Sequence, residues 1–134
     1  MLVKNVMSKP VFTVAPTATV VEAARIMKDE KIGCLIVVKS AGNPVGIVTE
    51  SDFLRKILAE NKTLQTPVEE VMTTDIKTIG EEETIEQAAK MMTLHRIRRL
   101  PVIAEGKLSG IVTLKDVVKA KKVNGESEYY PSFT

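Results

Sequence analysis

The sequence predicts an α+β fold made of two β-α-β-β-α repeats, packed sheet to sheet with pseudo-twofold symmetry. Three observations point to it. The chain matches itself: a shift of 65 places Val3, Val6 and Met7 on Val68, Val71 and Met72, Thr19 on Thr84, Ala23, Ala24 and Met27 on Ala88, Ala89 and Met92, and Leu35 and Val37 on Leu100 and Val102. A one-residue slip in the next turn then sets Gly46-Ile47-Val48-Thr49-x-x-Asp52 on Gly110-Ile111-Val112-Thr113-x-x-Asp116; loops absorb such length changes cheaply. Next, strand-like and helix-like patterning alternates in the same order in both copies. Finally, about 60 residues with few aromatics bury too little surface to offset chain entropy comfortably, so the two copies are expected to pack together.

Each element has a local reason. Residues 11–14, closed by Pro16, and 76–79, closed by Gly80, are short β-branched runs that read as strands. Thr19 with Glu22, and Thr84 with Gln87, form S/T-x-x-E/Q capping boxes that open helices. The apolar stripes Val20, Ala23, Ala24, Met27 and Ile85, Ala88, Ala89, Met92 follow helical spacing. Residues 35–38 and 100–103 read as buried strands, and turns at 40–44 and 104–107 lead into strands 45–48 and 108–112, giving a hairpin in each copy. The last helices are expected over about 51–61 and 115–122. This gives repeat 1 at 1–61, a linker at 62–67, repeat 2 at 68–122 and a tail at 123–134. The tail holds Tyr129, Tyr130 and Phe133 and reads either as a loosely ordered end or as a strap over a partner or pocket.

Composition removes several function classes. The 134 residues are 44% hydrophobic, 27% charged and 4% aromatic, too apolar for a disordered chain. Nineteen Lys+Arg against seventeen Asp+Glu leave +2, whereas a phosphate-backbone binder is usually far more basic, so nucleic acid is not the expected partner. A single cysteine, Cys34, excludes an internal disulfide and any cysteine-based metal cluster. The N-terminus lacks a signal-peptide pattern, and the longest apolar run, 34–38, is far short of the ~18 residues of a membrane span, so a cytoplasmic protein is expected. The lone histidine, His95, falls at a helix end with no nucleophile signature, metal-ligand spacing or phosphate-cradling glycine loop near it. Neither an enzyme, a metal nor a required cofactor is expected.

The twice-used Gly-Ile-Val-Thr-x-x-Asp supports two readings. Thr49 and Thr113 end a strand and open a helix, and Asp52 and Asp116 stand where a capping-box acid belongs, so helix capping alone explains both. The same geometry also suits a nucleotide. A helix N-terminus with a hydroxyl favours phosphate, and a carboxylate one turn inside can accept both hydroxyls of a ribose. Spacing leaves both open.

Two tandem strand–helix–strand–strand–helix units, each closing on G-I-V-T-x-x-D, resemble a pair of CBS domains (the cystathionine β-synthase repeat), also called a Bateman module. The resemblance covers roughly residues 3–121, and Val6-Met7, Val71-Met72 and Leu100-Pro101-Val102 strengthen it. It implies a regulatory module whose clefts between the repeats take adenine nucleotides (AMP, ADP, ATP) or a related adenosyl ligand such as S-adenosylmethionine. It implies, too, a homodimer and a partner protein that receives the signal, here unknown. By the same resemblance Asp52 and Asp116 match the ribose-binding Asp, and Thr49 and Thr113 the hydroxyl near phosphate. The turns at Ala15 and Gly80 match the backbone that lines the adenine.

The copies differ at the start of the second strand, where Arg98-Arg99 faces Gly33-Cys34 in the alignment. The gamma subunit of AMP-activated protein kinase carries a basic pair at the matching place, and arginine's planar fork suits phosphate oxygens. The resemblance therefore implies unequal sites. The stronger one takes Thr113, Asp116, Arg98 and Arg99, with Lys115 adding charge, against the Ala15 turn and the Cys34 strand. The weaker one takes Thr49 and Asp52, beside Glu50, against the Gly80 turn. The competing class is a structural or adaptor protein with degenerate ligand sites. A piece of a larger enzyme such as inosine-monophosphate dehydrogenase is the less favoured expectation, because no catalytic-domain pattern flanks the repeats.

Overall fold

The computed structural model describes residues 1–40 and 42–123. In chain order it contains α1 (Val3–Val6), β1 (Thr13–Val14), α2 (Val20–Glu30), β2 (Cys34–Val38), β3 (Pro44–Thr49) and α3 (Glu50–Asp52). A π-helical stretch, Phe53–Leu58, continues α3, and a 3-10 turn at Val68–Glu70 follows. Then come β4 (Ile79–Gly80), α4 (Ile85–His95), β5 (Arg99–Ala104), β6 (Lys107–Thr113) and α5 (Leu114–Val123). The β-α-β-β-α order therefore occurs twice, as expected. The tail beyond Val123 lies outside the described residues, and so do both readings of it.

Each repeat makes one three-stranded sheet, ordered β1-β2-β3 and β4-β5-β6. The first strand of each runs parallel to the second, which needs the intervening helix as crossover, while the second and third form the antiparallel hairpin. Both hairpins slip register at matching places, Val37/Val38 and Val102/Ile103. Their turns hold Gly42 at φ +78 and Gly106 at φ +77, a backbone that glycine adopts without penalty.

The first strands are shorter than the sequence implies, and they differ by one place. β1 pairs Thr13 with Ile36, but the matching pair, Thr78 with Pro101, is missing and β4 starts at Ile79. Pro101 has no N–H to give, whereas Ile36 donates its own to the Phe12 carbonyl at 3.3 Å.

Both capping boxes form as expected. Glu22 N–H donates to Thr19 Oγ1 at 3.2 Å and Gln87 N–H to Thr84 Oγ1 at 3.1 Å, while the Glu22 and Gln87 side chains return to the cap N–H. The stripes turn inward: Val20, Ala23, Met27, Ile85, Ala88 and Met92 are all buried. Each helix ends on a non-glycine residue in the left-handed region, Lys31 at φ 57 and Arg96 at φ 56.

The chain forms two compact units, and they do not follow the sequence repeat. One is Phe12–Ile76; among the described residues the other joins Met1–Val11 to 77–123. The short arm that opens each repeat thus packs with the rest of the other repeat. In the first unit Val68 N–H donates to Ala18 O at 2.7 Å, Glu69 N–H to Pro16 O at 3.0 Å, and Thr73 exchanges backbone bonds with Ile47 at 2.9 and 3.0 Å. The second unit repeats the pattern: Val3 N–H to Glu83 O at 2.8 Å, Lys4 N–H to Glu81 O at 3.1 Å, and Ser8 with Ile111 at 2.8 and 3.3 Å. Lys4 Nζ also meets Glu82 Oε1 at 2.8 Å, and that hydrogen bond raises the ammonium pKa above the ordinary lysine value.

The arms complete the cores. Val68 and Val71 join Val14, Leu35, Val37, Val48 and Ile57 in the first buried cluster, and Val3 joins Ile79, Leu100, Val102, Val112 and Val117 in the second. They also explain the glycine of the repeated motif. A Cβ on Gly46 would lie 2.5 Å from Met72 Sδ, and one on Gly110 would lie 2.5 Å from Met7 Sδ. Each glycine is the seat for the methionine of an arm.

Candidate functional site

The repeated T-x-x-D motif ends the third strand of each sheet. In the second unit Thr113 N–H donates to Asp116 Oδ2 at 2.9 Å and Asp116 N–H donates to Thr113 Oγ1 at 3.2 Å. In the first unit Thr49 N–H donates to Asp52 Oδ2 at 2.9 Å and Asp52 N–H to Thr49 Oγ1 at 3.3 Å. Both are therefore complete capping boxes, and the capping reading holds in geometry. Whether the same residues also take a ligand depends on which atoms the caps leave over.

The two copies leave different atoms. Thr49 spends its hydroxyl proton on Asp52 Oδ2 at 3.2 Å, and Asp52 Oδ1 is taken by Lys56 Nζ at 3.1 Å. In the second unit the position matching Lys56 is Ala120, which is buried. Among the described residues no cation pairs with Asp116 Oδ1, and the Thr113 hydroxyl has no acceptor for its own proton. The second copy thus offers a free carboxylate oxygen and a free hydroxyl donor at the entry of an α-helix of 10 residues. The Thr113, Leu114 and Asp116 N–H groups of that entry are already bonded, so what it adds is the positive end of the helix dipole.

The basic residues gather at the same place. Arg99 is the cross-strand partner of Thr113, so the two side chains share one face of the sheet. Arg98 is fixed through its carbonyl, which accepts the Leu114 N–H at 2.8 Å. Arg98 is exposed, Arg99 half-buried, and Lys115 is exposed beside Asp116. The backbone of the second unit therefore sets Arg98 and Arg99 beside the strand end at Thr113, where Lys115 and Asp116 lie in the first turn of α5. In the first unit the corresponding contacts join Cys34 to Thr49 and the Gly33 carbonyl to the Glu50 N–H at 3.1 Å, with no arginine in the same positions.

The first-strand turns lie elsewhere. Gly80 pairs with Ile103, whereas Thr113 pairs with Arg99, four residues back along β5. At about 3.3 Å per residue that is roughly 13 Å, at opposite ends of one sheet. Ala15, just past the pairing of Val14 with Val37, is likewise remote from Thr49 opposite Cys34. No repeat joins its own first-strand turn to its own T-x-x-D. Ala15, Cys34, Thr49 and Asp52 belong to the first unit, and Gly80 belongs with Thr113 and Asp116 in the second.

His95, the last residue of α4, is exposed. Among the described residues no three His, Cys, Asp or Glu side chains stand close enough to hold a metal ion, and no helix is long and apolar enough to cross a membrane. Lys56 lies outside the repeated motif and is not among the residues that the resemblance implies. The available signal was a lysine four places after Asp52 on a helix, with alanine at the matching position of the other copy.

Comparison with known proteins identifies the family. The CBS domain family matches residues 3–59 and again 68–123. The CBS domain-containing protein YhcV of Bacillus subtilis is 38% identical over 115 residues, covering 86% of this chain and 81% of the relative. Among solved structures, the CBS domain pair of protein MJ0100, in complex with 5′-methylthioadenosine and S-adenosyl-L-methionine, superposes with TM-score 0.83 at 33% identity, over 92% of this chain and 98% of that one. CBSX2 in complex with AMP gives TM-score 0.78 at 27% identity, over 93% and 98%. With two matched copies, the repeated sheet topology and these relatives in agreement, the chain belongs to the CBS-domain family and carries a tandem pair of CBS domains.

Proposed function

We propose that this CBS pair is a ligand-sensing regulatory module that binds a phosphate-bearing adenosine, of the AMP, ADP or ATP class, and relays its occupancy to a partner protein. The observation that carries this reading is the state of the second T-x-x-D: Asp116 Oδ1 and the Thr113 hydroxyl are unspent after capping, with Arg99 directly across the strand pair. Asp116 accepts the ribose hydroxyls. Thr113, the helix entry, Arg98, Arg99 and Lys115 receive the phosphate, where guanidinium forks bind two oxygens at once. The adenosyl ligands held by MJ0100 and CBSX2 support the chemical class. Three cations favour a phosphorylated adenosine over 5′-methylthioadenosine, which carries no phosphate.

The reading includes a non-catalytic, cytoplasmic homodimer. Support for self-association comes from Leu54 and Leu58, 59% and 69% exposed on the π-helical stretch beside a groove lined by Met27 and Phe53. A structural adaptor is the second reading, favoured by the completeness of both capping boxes. Thermal unfolding with AMP, ADP, ATP, 5′-methylthioadenosine and S-adenosylmethionine separates the two. A ligand at about 100 times its Kd adds about 2.7 kcal/mol, or roughly 5–15 °C at this size. A shift with the phosphorylated adenosines supports the sensor; a flat response to all five leaves the adaptor.

A further inference from the structure

We propose that Lys56 is a built-in occupant of the first repeat's carboxylate, closing Asp52 to ligand so that one chain takes up one nucleotide, at Asp116. This rests on the sensor reading and adds its stoichiometry and the residue that sets it. Lys56 Nζ stands 3.1 Å from Asp52 Oδ1 and donates to the Val71 carbonyl at 2.8 Å, so two of its three N–H donors are engaged. The other oxygen, Oδ2, accepts both the N–H and the hydroxyl of Thr49. The Asp52 side chain is only 13% exposed. Both carboxylate oxygens are thus engaged, one by the cap and the other by the ammonium.

A ribose diol is a poor competitor for this place. Its hydroxyls are neutral donors, whereas Lys56 gives a charge-assisted bond, roughly twice as strong as a neutral one. Displacing the ammonium also strips the donor from Val71, in the arm that completes the first core. The neighbours deepen the difference. Thr49 is followed by Glu50 and Ser51 where Thr113 is followed by Leu114 and Lys115, and Gly33-Cys34 replace Arg98-Arg99, so nothing repays the loss with phosphate contacts. In the second copy Ala120 supplies no donor, and Asp116 stays open.

The test is calorimetric titration with AMP of the wild type, Lys56→Met, Lys56→Gln and Lys56→Met/Asp52→Asn, each first checked for cooperative unfolding. Lys56→Gln keeps a neutral donor in case the methionine variant loses the arm. Expected are one AMP per wild-type chain, two per chain for the Lys56 variants, and a return to one for the double variant. The second event should be at least roughly tenfold weaker, for want of arginine forks. Two AMP per wild-type chain, or one per chain in both folded Lys56 variants, overturns the role of Lys56 and leaves the sensor reading intact. No heat with any protein overturns the sensor reading and this inference with it.

Discussion

Replacing Asp116 and Asp52 in turn by alanine should rank the two variants in opposite orders for stability and for affinity. Each substitution removes the carboxylate that accepts the cap N–H at 2.9 Å, a loss of about 1 kcal/mol. Asp52→Ala also leaves Lys56 without its ion pair, and with that lysine 40% exposed the added loss is only about 0.5 kcal/mol. Asp52→Ala is therefore the less stable variant, by roughly 1–4 °C in Tm. Affinity runs the other way. Bonds to a charged carboxylate contribute about 1.5–3 kcal/mol, so Asp116→Ala weakens AMP binding roughly 10- to 150-fold. Asp52→Ala should stay within about twofold of wild type. Differential scanning calorimetry and isothermal titration on the same preparations read both quantities. An Asp116→Ala protein with wild-type affinity and a cap-sized loss of stability would sink the ligand role of Asp116 and reduce the motif to a helix cap.

Other outcomes follow from the same contacts. Gly46→Ala should cost about 1–3 kcal/mol by overpacking against Met72, and Met72→Ala should recover part of it; strict additivity in denaturant titrations of the double variant would show that the methionine is not what the glycine accommodates. Gly110 with Met7 should behave alike. If the proposed homodimer uses this face, Leu54→Glu with Leu58→Glu should run as a monomer in sedimentation equilibrium without lowering Tm, and a mass equal to that of a dimeric wild type would remove the face from the interface. For Lys4 the folded pKa is raised above 10.5, so its pairing with Glu82 stabilises below that value and is lost as pH climbs through the folded one. The stability gap between wild type and Lys4→Met should be constant from about pH 6 to about pH 9, close at higher pH and shrink with added salt. A gap that persists above the raised value would assign it to packing of the lysine stem.

Much of the fold was legible because local physics and the repeat agreed. The Thr19/Glu22 and Thr84/Gln87 boxes, the inward stripes and both hairpins form where the patterning puts them. The first strands enter their ladders over fewer residues than the β-branched runs imply, since only the pairing partner decides how much of such a run is used. Pro101 then displaces the pairing by one place in the second copy. At the candidate site, Thr113 and Asp116 were legible as a motif and Arg98-Arg99 as a difference between copies. Lys56 was not, because an aspartate and a lysine four apart on a helix look like any solvent-facing pair until the depth of Asp52 and the reach to Val71 are known.

By itself the sequence determined that the chain is a duplicated β-α-β-β-α unit, where its helices begin, and that the copies differ in basic charge beside an otherwise identical T-x-x-D. These follow from neighbours a few residues apart and from comparing one half of the chain with the other. Only the tertiary structure decided which sheet each arm covers, what a side chain at Gly46 or Gly110 would meet, and which aspartate keeps a free oxygen. Those depend on atoms far apart in sequence meeting within a few ångströms. Matching Val3, Val6 and Met7 to Val68, Val71 and Met72 shows that the arms are alike; it does not show that each has crossed to the other repeat's core.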